Sequence, residues 1–289
     1  MKFWQFLRFA PPEMLPRLAQ IAEDAGFHGA MLVDHMFVPE QFDTTGTLYS
    51  TGQDGTPFWG EEDPWPDPWA AIGAMAAVTS RLKFSTCIYI LPLRNPFDVA
   101  KSLATLSVMT GNRVALGCGA GWMKEEYAAL DIDFATRGQR YTEMLEVMQF
   151  LWRREMVEYH GEIFDFPRLQ MSPAPTAEIP IYLGGNAKVA KRRAARFANG
   201  WITHKFRRSE IAGMVSEMKD MLGAQGRANE PFEIIVPAGS SMDAYRQFQD
   251  EGVTGIVNLP TLDEVGPRAS LDDMTRYIEN YANAFIGKV

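Results

Sequence analysis

Short apolar runs alternate along this chain with longer stretches in which apolar residues recur every three or four positions. The runs read as strands at Phe3–Phe9, Gly29–Val33, Leu82–Ile90, Arg113–Cys118, Ile179–Leu183, Gly200–Thr203, Phe232–Val236 and Val253–Asn258. Helical spacing covers Glu13–Ala25, Asp67–Ser80, Asn95–Met109, the stripe from Tyr141 to Trp152, Lys188–Ala198, Ser209–Gln225, Met242–Glu251 and Leu271–Phe285. Two interruptions stand out. Residues 36–66 form a Gly/Thr/Pro/aromatic stretch closing on DPWPDPW, and residues 155–179 contain SPAP. Loops of that length in a compact chain serve as lids or binding elements, so both are placed over a site.

Regular alternation of strand and helix predicts a parallel sheet. Eight such units in 289 residues match an α/β fold of the (β/α)8 TIM-barrel type with insertion loops, read as one domain over residues 1–289. The rival is a doubly wound open sheet. Its first strand-to-helix turn would need a glycine fingerprint, and here that turn reads RFAPPEM.

Barrel enzymes build their sites just beyond the carboxyl ends of the strands, which narrows the candidates. Asp34 and His35 follow strand two, a carboxylate beside the side chain that titrates nearest neutrality. GCGAGW follows strand four, and Gly184, Gly185 and Asn186 follow strand five directly before a helix. There, glycine backbone and unpaired N–H groups could receive a phosphate. Each also has a plain reading: a structural histidine, a close-packing glycine, an ordinary turn. Lys205, Arg207 and Arg208 lie on the same rim and could neutralise an anion. Lys188, Lys191, Arg192 and Arg193 are read as a solvated helix face. Trp59, Trp65 and Trp69 are read as stiffening the long loop, with a substrate wall as the alternative.

Composition removes other classes. Lys plus Arg number 28 against 36 acidic residues, a net charge of −8 that lacks the footprint of a nucleic-acid binder. Cys87 and Cys118 sit in apolar runs and offer neither a disulfide framework nor a zinc set, so a cytoplasmic location is expected. The first residues are too short an apolar stretch for a signal segment, and no run approaches the length of a membrane helix. HExxH, GxSxG and Walker motifs are missing, and no metal is expected.

Three ordered segments, AEDAGFHGAMLVDHMFVP, ILPLRNPFDVAKSLATLSVMTGNRVALGCGAGWMKEEYAALDIDFATRGQRYTEML and IPIYLGGNAKVAKRRAARFANGWI, together resemble the luciferase-like flavin and deazaflavin oxidoreductases. The resemblance implies a TIM-type barrel with a non-prolyl cis peptide in strand three near Thr86, Cys87 and Ile88, pressed against the cofactor ring. It implies that Asp34 and His35 lie beside the ring and that Gly119, Ala120, Gly121 and Trp122 line the site. It also implies that Gly184, Gly185 and Asn186 hold the cofactor phosphate. Within the family the chain is most similar to the subgroup using coenzyme F420, with FMN as the alternative; Lys205 and its neighbours would meet an acidic F420 tail. In the F420-dependent dehydrogenases the counterpart of His35 assists proton transfer during hydride transfer, and Asp34 is expected to fix its tautomer.

One departure is plain. Trp122 stands where the sugar-phosphate dehydrogenases of the family carry an acid, which turns the expectation toward a small apolar or aromatic substrate. Three readings follow: F420-dependent hydride transfer, an FMN-dependent monooxygenase, and a cofactor-binding protein without turnover. The spacing of Leu271, Met274, Ile278, Tyr281 and Phe285 is read as a helix docking on its own barrel, with a homodimer contact as the alternative.

Overall fold

A computed structural model describes residues 1–42, 59–204, 206–261 and 263–289. Nine strands form one parallel sheet: β1 (Lys2–Phe6), β2 (Gly29–Leu32), β3 (Lys83–Thr86), β4 (Tyr89–Ile90), β5 (Leu116–Gly119), β8 (Ile181–Gly184), β9 (Gly200–Ile202), β10 (Glu233–Ala238) and β11 (Gly255–Asn258). Their order is β3-β2-β1-β11-β10-β9-β8-β5-β4. β3 and β4 are two halves of one barrel strand interrupted at Cys87–Ile88, where the peptide bond is cis. One half pairs with β2 and the other with β5, and a bridge between Phe84 and Val114 closes the ring. The expected TIM barrel is therefore present, and its third strand differs from the continuous Leu82–Ile90 run that the apolar pattern predicts.

Period-two alternation places each strand residue. Trp4, Phe6, Met31, Val33, Ala115, Tyr182, Ile202, Ile235 and Val257 fill the barrel interior. Phe3, Leu7, Ala30, Leu32, Phe84, Leu116 and Ile181 face outward and join the helices in the main core. The helices are α1 (Leu15–Asp24), α2 (Pro68–Ala77), α3 (Pro96–Thr110), α4 (Lys124–Ala129), α5 (Arg137–Leu151), α6 (Lys188–Phe197), α7 (Ile211–Ala224), α8 (Met242–Glu251) and α9 (Leu271–Phe285). In α9, Met274, Ile278 and Tyr281 are buried on the chain's own core, Tyr281 stacking on Phe27 at 5.7 Å.

Three expectations change. The segment 155–179 is no cover for the barrel mouth: β6 (Val157–His160) and β7 (Asp165–Leu169) form an antiparallel hairpin. Glu143 of α5 anchors it by accepting the amides of Ile163 and Phe164 at 2.9 and 3.1 Å, and Phe166 packs on Phe97. The basic run on α6 is no simple solvated face either, because Lys191 is buried against Glu217 of α7 and Arg193 lies over Tyr141. Finally, α4 is a helix that the periodicity left unassigned, and it carries a side chain of the site.

At the amino-terminal end of the barrel, His28 packs edge-on to Trp4 at 4.8 Å. Burial, followed by the charge of Lys2, pushes its pKa down to about 4, with Glu233 opposing and Lys83 assisting. A group held neutral in the fold contributes stability that is complete above its unfolded value of about 6.5 and is lost as pH falls toward 4. Denaturant midpoints should therefore decline between those values, and the His28→Asn variant should show a shallower decline over the same window.

Candidate functional site

Two buried carboxylates meet at the carboxyl end of the barrel. The Asp34 side chain is 2% exposed, and an isolated charge there would cost several kcal/mol. Its Oδ2 accepts the Ile90 amide at 2.8 Å and its Oδ1 accepts the Arg94 guanidinium at 2.6 Å. Arg94 in turn donates to the Ile90 carbonyl at 3.1 Å and lies 4.4 Å from the centre of the Tyr89 ring. Asp34 thus clamps the far half of the broken third strand. Burial pushes its carboxyl above the ordinary range, against the opposing charge of Arg94 and the Ile90 amide.

Glu126 of α4 is the second, wholly buried carboxylate. Its Oε2 lies 3.1 Å from His35 Nδ1, and its Oε1 accepts the Met36 amide at 2.7 Å. Here the expectation that Asp34 fixes the tautomer of His35 is corrected. Adjacent residues leaving a strand end point apart, so Asp34 turns to Arg94 and the imidazole finds its carboxylate 91 residues away. The sequence signal for Glu126 was available: Met123, Glu126, Tyr127 and Leu130 repeat at helical spacing, with a carboxylate in an otherwise apolar stripe.

His35 is boxed by indoles. Trp65 stands edge-on at 4.7 Å, Trp122 edge-on at 5.9 Å and Trp59 nearly parallel at 6.0 Å. These residues border a cavity of about 110 Å³ whose other walls include Phe6, Arg8, Cys87, Ile88, Ile90 and Gly121. Trp59 and Trp65 thus line a cavity, whereas Trp69 packs on Tyr89 at 5.0 Å. Phe6, Arg8, Ile90 and Glu126 belong to the site and escaped sequence reasoning.

Ile88 forms part of the cavity wall. A Cβ on Gly119 would fall 2.5 Å from its Cδ1, and one on Gly184 would fall 2.8 Å from its Cγ2. These glycines make room for the Ile88 side chain and do not border the cavity. Thr86 is buried, donating to the Gly117 carbonyl at 2.6 Å, and Ala120 accepts the Tyr127 hydroxyl. Burial raises the Cys87 thiol to about 12, which keeps it protonated and poorly nucleophilic.

Gly184, Gly185 and Asn186 lead into α6, whose start has no side-chain cap. Gly185 has φ +122° and its carbonyl accepts Trp201 Nε1 at 2.7 Å. The Asn186 side chain bridges to the His204 backbone, accepting its amide at 3.2 Å and donating to its carbonyl. Lys205 lies outside the described residues. Arg208 turns to α8, bonding Gln247 and the Asp243 carbonyl. Among the described residues no group of His, Cys, Asp and Glu could hold a metal, and no helix is long and apolar enough to cross a membrane.

A parallel barrel with an interrupted third strand and a histidine-bearing cavity at its carboxyl mouth defines a class of enzyme scaffold. The luciferase-like monooxygenase family model matches residues 7–263, and the chain belongs to that family. It is 35% identical over 276 residues to an uncharacterized protein of Mycobacterium tuberculosis, covering 94% of both chains. It is 28% identical to an F420-dependent glucose-6-phosphate dehydrogenase of Microbacterium testaceum, over 79% of this chain and 64% of that one. An F420-dependent secondary alcohol dehydrogenase solved with an F420-acetone adduct shares the fold, with a TM-score of 0.78, 17% identity and 98% coverage of each chain.

The ion pair at Asp34 yields a direct test. Arg94→Ala should cost about 3–5 kcal/mol at neutral pH by stranding a buried carboxylate. The loss should shrink as pH falls and Asp34 takes up a proton, which denaturant titrations at several pH values would reveal.

Proposed function

We propose that this protein is an F420-dependent oxidoreductase that exchanges a hydride with a small apolar or aromatic organic substrate. The observation that carries the reading is a buried imidazole, paired with a carboxylate on one nitrogen, inside an aromatic cavity at the barrel mouth. Hydride exchange at a carbon bearing oxygen or nitrogen needs a proton moved in step, and His35 is built to move one.

The residues present fit a flat cofactor ring. The half-buried Cys87–Ile88 segment offers it an apolar wall, and Trp65 Nε1 is buried with no hydrogen-bond partner among the described residues, a donor for a polar ring edge. The uncapped start of α6 behind Gly184 and Gly185 supplies amides for a phosphate. A cavity of about 110 Å³ is smaller than the ~300–1,000 Å³ typical of ligand pockets, so Trp59 and Trp65 must shift outward on binding. Bound here, the deazaflavin would supply a two-electron acceptor or donor.

The chain does the rest. Trp59, Trp65 and Trp122 exclude water and orient an apolar substrate, and His35 takes or returns the substrate proton. Sugar phosphate is disfavoured because Trp122 stands where the family's sugar-phosphate dehydrogenases carry an acid, and Arg8 is the single Lys or Arg among the described residues bordering the cavity.

One observation favours the FMN-dependent monooxygenase reading: Arg208 is committed to Gln247 and the Asp243 carbonyl of α8, so the rim offers less to an acidic F420 tail than its sequence promised. Fluorescence titration with F420 and FMN side by side separates the two, and tighter F420 binding is expected. His35→Ala should leave F420 affinity within about twofold and reduce turnover about 10²–10⁴-fold, the usual range for a general acid–base group. Unchanged turnover would remove His35 from the chemistry.

A further inference from the structure

We infer that Glu126 is a positioning residue that sets which ring nitrogen of His35 carries the proton. The use made of that proton rests on the function proposed above; the tautomer itself does not.

Donors and acceptors decide the tautomer. A carboxylate offers acceptors alone, and Glu126 uses both oxygens within the same short stretch of chain: Oε1 on the Met36 amide and Oε2 on the His35 ring. The backbone contact matters because it fixes the rotation of the carboxyl group. With Oε1 committed to an N–H that can only donate, Oε2 is left facing Nδ1, which must then donate. Nε2 becomes the basic nitrogen, free to accept a proton from substrate. The pair is shielded from competing water, since Glu126 is wholly buried and the His35 side chain is 7% exposed beneath three indoles.

Tyr127, the next residue on α4, donates to the Ala120 carbonyl and ties the helix to the segment bearing Trp122. The carboxylate thus reaches the imidazole from the turn of helix after Gly121, four positions beyond Trp122. The departure at Trp122 therefore gives no ground for a protein that binds cofactor without turning over.

Glutamine is a sharp probe. In Glu126→Gln the Met36 amide still requires an acceptor, so the amide oxygen stays on Met36 and the NH2 group faces Nδ1. That group can only donate, which inverts the tautomer and places the proton on Nε2.

The test is ¹⁵N NMR of histidine-labelled protein free of cofactor, followed to alkaline pH until the ring shifts no longer change, with His35 assigned by its loss in His35→Gln. The wild type should carry its proton on Nδ1 and Glu126→Gln on Nε2. Turnover of the variant should fall at least about tenfold, with F420 affinity within about twofold. A wild-type ring protonated on Nε2 overturns the inference even if the variant fails to fold, and so does an unchanged tautomer in a folded variant. If the wild type shows no F420-linked turnover, the proposed function fails while the tautomer result still decides the role of Glu126.

Discussion

Buried carboxylates have to be answered, and this barrel buries two of them around one histidine. Asp34 and Glu126 are both nearly inaccessible, so each dictates where its partners stand. Asp34 holds the Ile90 amide and Arg94, which anchors the chain immediately after the break in strand three. Glu126 holds the Met36 amide and His35, which anchors the start of the long loop. Satisfying these charges joins the end of β2, the half-strand β4 and the short helix α4 into one rim. The catalytic candidate sits on that rim and moves only if the pairs are broken.

The rest of the mouth follows from packing around Ile88. Its side chain occupies space that Cβ atoms on Gly119 and Gly184 would fill, so glycines expected to meet a cofactor serve first to admit an isoleucine. The apolar wall thus made borders the same cavity as His35 and the indoles of Trp59, Trp65 and Trp122. On the proposed function such a slot would receive a flat ring and a substrate without charge, and would keep water from the proton that His35 handles. On the proposed function the phosphate would go to the Gly184–Asn186 turn, which Asn186 ties to His204.

Most of the barrel was legible because strand and helix periods differ so clearly, as in the inward Trp4 and outward Phe3 of β1. The break at Cys87 was invisible to pattern alone: LKFSTCIYIL reads as one continuous strand run, and only the family resemblance placed a cis bond near it. Asp34 and His35 were found as strand-end residues, but their partners were not. Arg94 lies 60 residues and Glu126 91 residues from them, and spacing along the chain carries no record of such pairings. Lys191 shows the same limit, since its burial depends on Glu217 of the next helix. Aromatic walls from the long loop were a matter of choosing between two readings that composition left open.

The central claim is that the slot between Ile88 and His35 is a cofactor site. A crystal structure of the protein with F420 tests it most directly. The account predicts ring density lying on Ile88, with Trp59 and Trp65 displaced outward, His35 Nδ1 still on Glu126 and the phosphate at the Gly184–Asn186 turn. A ring bound outside this slot, with both indoles still closed over His35, would contradict it.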